Sequence, residues 1–121
     1  MKILVLESSG LVASVAVVTE EKLIGEYTTN FKKTHSQTLL PMMDTLLKMI
    51  GIPVQEMDAI AVSGGPGSFT GLRIGSATAK GLGLALSIPI ISVPTVDAIA
   101  YNLCGTDAVV CPLMDARRNQ T

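Results

Sequence analysis

The chain has 121 residues, of which 48% are hydrophobic, 16% charged and 3% aromatic, with a formal net charge of −1. This length and hydrophobic content are typical of one folded domain with a real core, and they exclude a disordered chain. The lack of a basic excess and the scarcity of aromatic residues argue against an extended nucleic-acid surface built by this chain alone.

Three apolar or β-branched segments come first, at residues 3–6, 12–18 and 22–28. Two short polar connections separate them, one around Gly10 and one at Glu20 and Glu21. Strands joined by such short connections pair with their neighbours in opposite directions, so we predict an antiparallel meander.

A helix is predicted to begin near residues 34–36 and to end before Gly51, where a C-terminal glycine and the following Pro53 stop it. Its main apolar stripe has helical spacing and consists of Leu39, Leu40, Met43, Leu46, Leu47 and Ile50. Met42 and Met49 lie beside this stripe and widen it. They fit either a deeply buried helix or a helix with a second apolar face for a partner.

A fourth strand is predicted at residues 58–62, followed by a glycine-rich turn and a long helix over residues 71–86. Along that helix the positions i, i+4, i+8 and i+12 are all small, at Gly71, Gly75, Ala79 and Gly83. Each helical glycine costs about 1 kcal/mol relative to alanine, so a line of small residues indicates close packing against another helix or the sheet.

A fifth strand is predicted at residues 90–93, then a short helix capped by Thr95, then the start of another strand at residues 108–114. The order β-β-β-α-β-α-β-α predicts an α/β fold like the ribonuclease H-like core that the actin-like superfamily uses twice. We therefore expect a mixed five-stranded sheet with helices on both faces. We assign residues 1–106 to this subdomain, and residues 107–121 to the start of a truncated second one.

The turn at residues 63–75 stands where α/β proteins often hold a phosphate. It lacks the glycine-lysine pair of a P-loop and the third glycine of a dinucleotide fingerprint. Backbone contact with a phosphate is the alternative to a purely structural turn. The residues of such a vestigial loop are Glu7, Ser8, Ser9, Gly65, Gly67 and Ser68.

Metal and nucleophile chemistry find little support. With His35 as the single histidine, no two-histidine site can form within the chain, and Ser68 is not in a G-x-S-x-G elbow. Glu7 and Asp115 would form a Mg²⁺ pair only if both strand ends converge, against the alternative of two solvated carboxylates. No metal or other cofactor is assigned to this chain.

The cellular compartment is predicted from the N-terminus, the longest apolar stretch and the two cysteines. The N-terminal apolar run is too short for a signal peptide, and the stretch at residues 72–91 contains Arg73, Lys80 and Pro89, which argues against a membrane span. Cys104 and Cys111 lie among apolar residues and are predicted to be reduced and buried. We expect a cytoplasmic protein without membrane contact.

Several segments together resemble the TsaB (YeaZ) family. They are THSQTLLP at residues 34–41, DAIAV at 58–62, GPGSFTGLRIG at 65–75 and AKGL at 79–82, with further matches at 88–90, 93–95 and 115–118. The resemblance covers essentially the whole chain, and the GPGSFTGLRIG segment is highly specific. Family members are about twice as long.

This resemblance implies a two-domain, actin-like bacterial protein needed for N6-threonylcarbamoyladenosine at position 37 of tRNA. It implies a non-catalytic, degenerate homologue that binds a catalytic paralogue, TsaD, which carries the metal and ATP. An ATPase, TsaE, joins them, and tRNA is reached only through the complex. The family also forms homodimers.

The resemblance places the contact surface on the two long helices. The residues assigned to it are His35, Leu39, Met42, Met43, Leu46, Met49, Gly71, Gly75, Ala79 and Gly83. Two departures weigh against independent chemistry. Leu39 stands four residues after His35, where the paralogue's metal motif has a second histidine, and Glu7 replaces the family's usual aspartate.

Two rival functions are carried alongside this one. The first is an actin-like nucleotide-binding enzyme, a small-molecule kinase or nucleotidase. The second is a homodimer that acts without a partner. A peptidase is disfavoured because the second histidine is missing.

Overall fold

The computed structural model describes residues 1–30 and 35–114, apart from the side chains of residues 35–38. A five-stranded sheet with the order β3-β2-β1-β4-β5 forms its centre. The elements are β1 (Ile3–Glu7), β2 (Ala13–Val18), β3 (Leu23–Thr29), α1 (His35–Ile50), a 3₁₀ turn (Val54–Glu56), β4 (Ala59–Ser63), α2 (Phe69–Leu86), β5 (Ile90–Val93) and α3 (Thr95–Tyr101).

The sheet is mixed, as predicted. β1 pairs antiparallel with β2, and β2 with β3, because only a few residues connect them. β4 pairs parallel with β1, and β5 parallel with β4, because α1 and α2 provide the crossovers. The predicted α/β class and its mixed five-stranded sheet are confirmed. The placement of helices on both faces stays a prediction.

The core lies on one face of this sheet. Leu4 and Leu6 of β1 are in register with Ile60 and Val62 of β4, and all four side chains are buried. α1 covers this face near β3, where the backbone of Gly25 lies against α1 side chains. α2 covers the same face near β4 and β5. The faces of both helices that point to the sheet are thereby removed from water, which is the main stabilising contribution.

The predicted apolar stripe of α1 is confirmed except at Leu40. Leu46 and Leu47 are buried, and Met43 and Ile50 pack partly buried against the core. Leu39, Met42 and Leu46 are almost fully buried, while Leu40 is 48% and Met49 78% exposed. The interpretation of Met42 as part of a second, partner-facing side is therefore wrong, because that side chain belongs to the core.

The helix α2 begins at Phe69, two residues earlier than predicted. Ser68 is its N-cap, and its side chain accepts a hydrogen bond from the backbone N–H of Gly71 at 3.2 Å. The helix ends as predicted before Ser87, which takes a left-handed conformation with φ of 56°. Gly65 and Pro66 in the preceding turn are joined by a cis peptide bond.

Three expectations about the last part of the described chain are wrong. Thr95 is the first residue of α3 and makes no side-chain cap; Pro94 occupies the N-cap position. Residues 108–114 form no strand, because a strand needs a neighbour and no described segment pairs with this one. Cys104 and Cys111 are exposed, since the segment that carries them does not pack into the core.

The helices were also compared with the length and apolar character of a membrane span. None of the described helices is long and apolar enough to cross a membrane.

Candidate functional site

Two features of the described chain have the character of a site. The first is a polar cluster at the carboxyl ends of β1 and β4, formed by Glu7, Ser8, Ser9, Ser63 and the turn at residues 64–68; we call it the Glu7 junction. The second is a shallow groove on the outside of α1 and α2. Carboxyl ends of parallel strands are where open α/β sheets bind ligands, so the Glu7 junction has the position of a ligand site.

The Glu7 carboxylate accepts hydrogen bonds on both of its oxygens. Its Oε1 accepts from the backbone N–H of Ser9 at 2.7 Å and from the Ser9 hydroxyl at 2.5 Å. Its Oε2 accepts from the hydroxyl of Ser63 at the end of β4. One side chain therefore ties the turn after β1 to the end of the neighbouring parallel strand.

The turn after β1 is also tied to the start of α2. The Ser9 carbonyl accepts a hydrogen bond from the backbone N–H of Ser68 at 2.7 Å. The Ser8 hydroxyl, which is buried, donates to the carbonyl of Gly71 at 2.8 Å. These two bonds fix the first turn of α2 relative to β1.

The glycine-rich turn packs so closely that two of its glycines have no room for a side chain. A Cβ atom on Gly67 would lie 2.6 Å from the Ser9 carbonyl oxygen, and one on Gly64 would overlap the Ser92 hydroxyl. Gly65 has φ of 104°, and its carbonyl accepts from the backbone N–H of Thr95 at 2.8 Å. The glycines are thus required by close approach of the chain to itself.

The structure brings all six residues of the predicted vestigial loop into this junction. Its polar side chains are used within the chain: both oxygens of Glu7 have donors, and the hydroxyls of the four serines are hydrogen-bonded. Ser63 is a member that sequence reasoning missed. The signal was available, because Ser63 directly follows the predicted strand at residues 58–62 and begins the glycine-rich turn. Asp115, the suggested partner of Glu7 in a Mg²⁺ pair, lies outside the described residues.

The small-residue stripe of α2 faces the sheet, which corrects its assignment to a contact surface. Gly71, Gly75, Ala79 and Gly83 are all buried within this chain. A Cβ atom on Gly75 would lie 2.5 Å from the Ser8 hydroxyl oxygen, and one on Gly83 would lie 3.0 Å from Ile90. The small residues therefore let α2 lie close to β1, β4 and β5.

The residues assigned to the contact surface on α1 have diverse locations. Leu39, Met42 and Leu46 lie in the core and are unavailable to a partner, and Met43 is half-buried. Met49 is exposed but stands nine residues from Leu40, which places it about half a turn around α1. The side chain of His35 lies outside what the structure describes.

The outer groove is lined by apolar or small residues that sequence reasoning did not assign to a surface. It has a volume of about 380 Å³ and is bounded by Leu40, Ala77, Thr78, Gly81 and Leu82. The Thr78 hydroxyl donates to the carbonyl of Ile74 at 2.8 Å, so its proton is already in a hydrogen bond within the helix. Ala77 and Gly81 stand about 200° from Ala79, on the opposite side of α2. Leu84, one turn beyond Gly81, is 85% exposed.

Comparison with known proteins gives a consistent result. The family model "TsaD: tRNA N6-adenosine threonylcarbamoyltransferase" matches residues 22–121. A Bacillus subtilis protein named "tRNA threonylcarbamoyladenosine biosynthesis protein TsaB" is 38% identical, over 99% of this chain and 52% of its own length. A protein of the same name from Haemophilus influenzae is 34% identical, over 99% of this chain and 51% of its own length.

Among solved structures, YeaZ from Pseudomonas aeruginosa is similar with a TM-score of 0.76 and 34% identity, covering 84% of this chain and 49% of that one. This likeness and the family match agree with the actin-like, ribonuclease H-like fold. The chain spans about half the length of the curated relatives it matches.

Proposed function

Because the chain belongs to the family of TsaD, tRNA N6-adenosine threonylcarbamoyltransferase, and its relatives are named TsaB, we propose that it serves the synthesis of N6-threonylcarbamoyladenosine in tRNA. In this proposal its role is that of a non-catalytic subunit. It binds a TsaD-like catalytic paralogue, which carries ATP and the metal ion, and a TsaE-like ATPase completes the complex. It meets tRNA only within that complex.

The observation that carries the proposal is the outer groove between α1 and α2. Leu40 is about half exposed and, with Ala77 and Gly81, offers an apolar surface without a charged group in its lining. Small residues on the outside of α2 would let a partner helix approach closely, and Leu40 and Leu84 flank them as larger apolar contacts. Such a surface is typical of a helix-to-helix contact between proteins.

The Glu7 junction supports the non-catalytic part of the proposal. A nucleotide phosphate at this edge of the sheet would need backbone or hydroxyl donors that point outward. Three of the donors at the junction point at Glu7, and the backbone N–H of Ser68 is bonded to Ser9.

The proposal is tested by reconstituting the modification from purified components with and without the full-length protein that contains this chain. We expect formation of N6-threonylcarbamoyladenosine to fail when it is omitted and to recover when it is added back. Full activity without it would overturn the proposal.

Two measurements distinguish the rival functions. Calorimetry of the isolated protein with ATP and Mg²⁺ tests the enzyme, because micromolar binding with turnover would make it a kinase or nucleotidase. Sedimentation with and without the TsaD-like paralogue tests the homodimer. We expect the paralogue to be recovered with this protein, and a homodimer that never exchanges for it would favour the partner-free function.

A further inference from the structure

The carboxylate of Glu7 has an unusual set of partners for a half-buried charge. Neither of the two ion pairs among the described residues includes it. Its negative charge is met instead by three neutral donors: the backbone N–H of Ser9, the Ser9 hydroxyl and the Ser63 hydroxyl. Such convergence of backbone and hydroxyl donors on one point is how proteins bind small anions.

We propose that Glu7 is an internal anion that fills a three-donor anion site, and that removal of its carboxylate turns this site into one for an external carboxylate. The donors belong to two separate strand ends, and each end has a further attachment: the Ser9 carbonyl binds the N–H of Ser68, and Ser63 lies in the pairing of β4 with β5. In the native chain Glu7 closes the site.

The atoms removed by the substitution define the size of the external carboxylate that would fit. Replacement of Glu7 by alanine removes Cγ, Cδ and both carboxylate oxygens, which is the heavy-atom set of acetate. Acetate can therefore restore the lost hydrogen bonds within the space that the substitution opens. Phosphate has four oxygens, two more than acetate, and a tetrahedral shape, and is expected to bind more weakly.

The same carboxylate acts as a positioning residue for α2. It holds Ser9, whose carbonyl binds the N–H of Ser68, the N-cap of the helix. Loss of the internal anion therefore loosens the first turn of α2 as well as the turn after β1. The inference concerns the fold of this chain and does not rest on the proposed function, so it can be tested without partner or tRNA.

The test is thermal unfolding of the full chain as wild type, Glu7→Ala, Glu7→Gln and Glu26→Ala, in sodium chloride, acetate or phosphate at equal ionic strength. Glu26 is the control, because it is an exposed carboxylate that accepts a hydrogen bond from the Thr28 hydroxyl at 2.6 Å. We expect Glu7→Ala to lower the melting temperature by about 10 °C, since charge-assisted hydrogen bonds are lost. Acetate should restore part of this loss saturably in Glu7→Ala alone.

Glu7→Gln keeps the shape of the side chain and removes its charge. We expect it to be less stable than wild type and unresponsive to acetate, because the amide still fills the site. If Glu7→Ala folds only in acetate, as followed by circular dichroism, the proposal is supported. A Glu7→Gln protein as stable as wild type, or an acetate effect equal in all four proteins, would overturn it.

Discussion

Gly75 of α2 lies directly against Ser8 of the turn after β1, so that a Cβ atom on Gly75 would be 2.5 Å from the Ser8 hydroxyl oxygen. Real Cβ atoms do not approach another atom that closely, so any side chain at this position would force the helix or the turn to move. The contact explains why the helix needs glycine at that position despite glycine's low helix propensity. It also connects the helix to the Glu7 junction, because the same hydroxyl donates to the carbonyl of Gly71.

Gly75→Ala is expected to destabilise the protein by about 1–3 kcal/mol, the usual effect of overpacking a tight contact. Gly81→Ala is the matched control on the same helix, because a Cβ atom there meets nothing within 4 Å. Its expected effect is a stabilisation of about 0.5–1 kcal/mol from helix propensity. Chemical denaturation measures both, and equal effects would contradict the packing described.

Gly67→Ala is expected to destabilise the protein by a similar amount, about 1–3 kcal/mol, because its Cβ would meet the Ser9 carbonyl oxygen at 2.6 Å. That oxygen belongs to the backbone and already binds the N–H of Ser68. Gly10 follows Ser9 in the connection between β1 and β2 and serves as the control. Gly10→Ala should stay within about 0.5 kcal/mol of wild type, since a Cβ atom there meets nothing within 4 Å. Denaturant midpoints that place Gly10→Ala below Gly67→Ala would show this part of the junction to be wrong.

Thr95 carries a buried hydroxyl oxygen that has no hydrogen-bond partner among the described residues. Thr95→Val replaces the hydroxyl by a methyl group of similar size and is expected to leave stability unchanged or raise it by about 1 kcal/mol. Ser8→Ala is the contrasting variant, because it removes the hydrogen bond from the buried Ser8 hydroxyl to the Gly71 carbonyl and should cost about 0.5–1.5 kcal/mol. Thermal unfolding of the pair separates the two cases.

The sheet was predictable because its signals are local. Short connections after β1 and β2 require antiparallel pairing, and Gly51 with Pro53 ends α1 where expected. The strand expected at residues 108–114 has the same β-branched composition, yet it does not form. Pairing depends on a neighbour that composition does not reveal.

The contact surface was harder to predict for a physical reason. A line of small residues shows that something approaches α2 closely, but Gly75 and Gly83 meet the sheet of their own chain. Gly81 is chemically the same residue on the other side of the helix. Helical periodicity identifies the residues that share one side of a helix, but it does not say whether that side faces the core or a partner. Leu40 of α1 shows the same ambiguity, because it belongs to the predicted apolar stripe and is 48% exposed.

The proposed docking surface is tested most directly by the affinity of the full-length protein for its TsaD-like paralogue. Ala77→Arg places a long charged side chain in the outer groove without loss of helix propensity. Met49→Arg is the control, at an exposed position about half a turn around α1 from Leu40. We predict that Ala77→Arg weakens binding by roughly 30-fold or more, a loss of about 2 kcal/mol. Met49→Arg should bind like wild type, and unchanged binding by a folded Ala77→Arg protein would contradict the account.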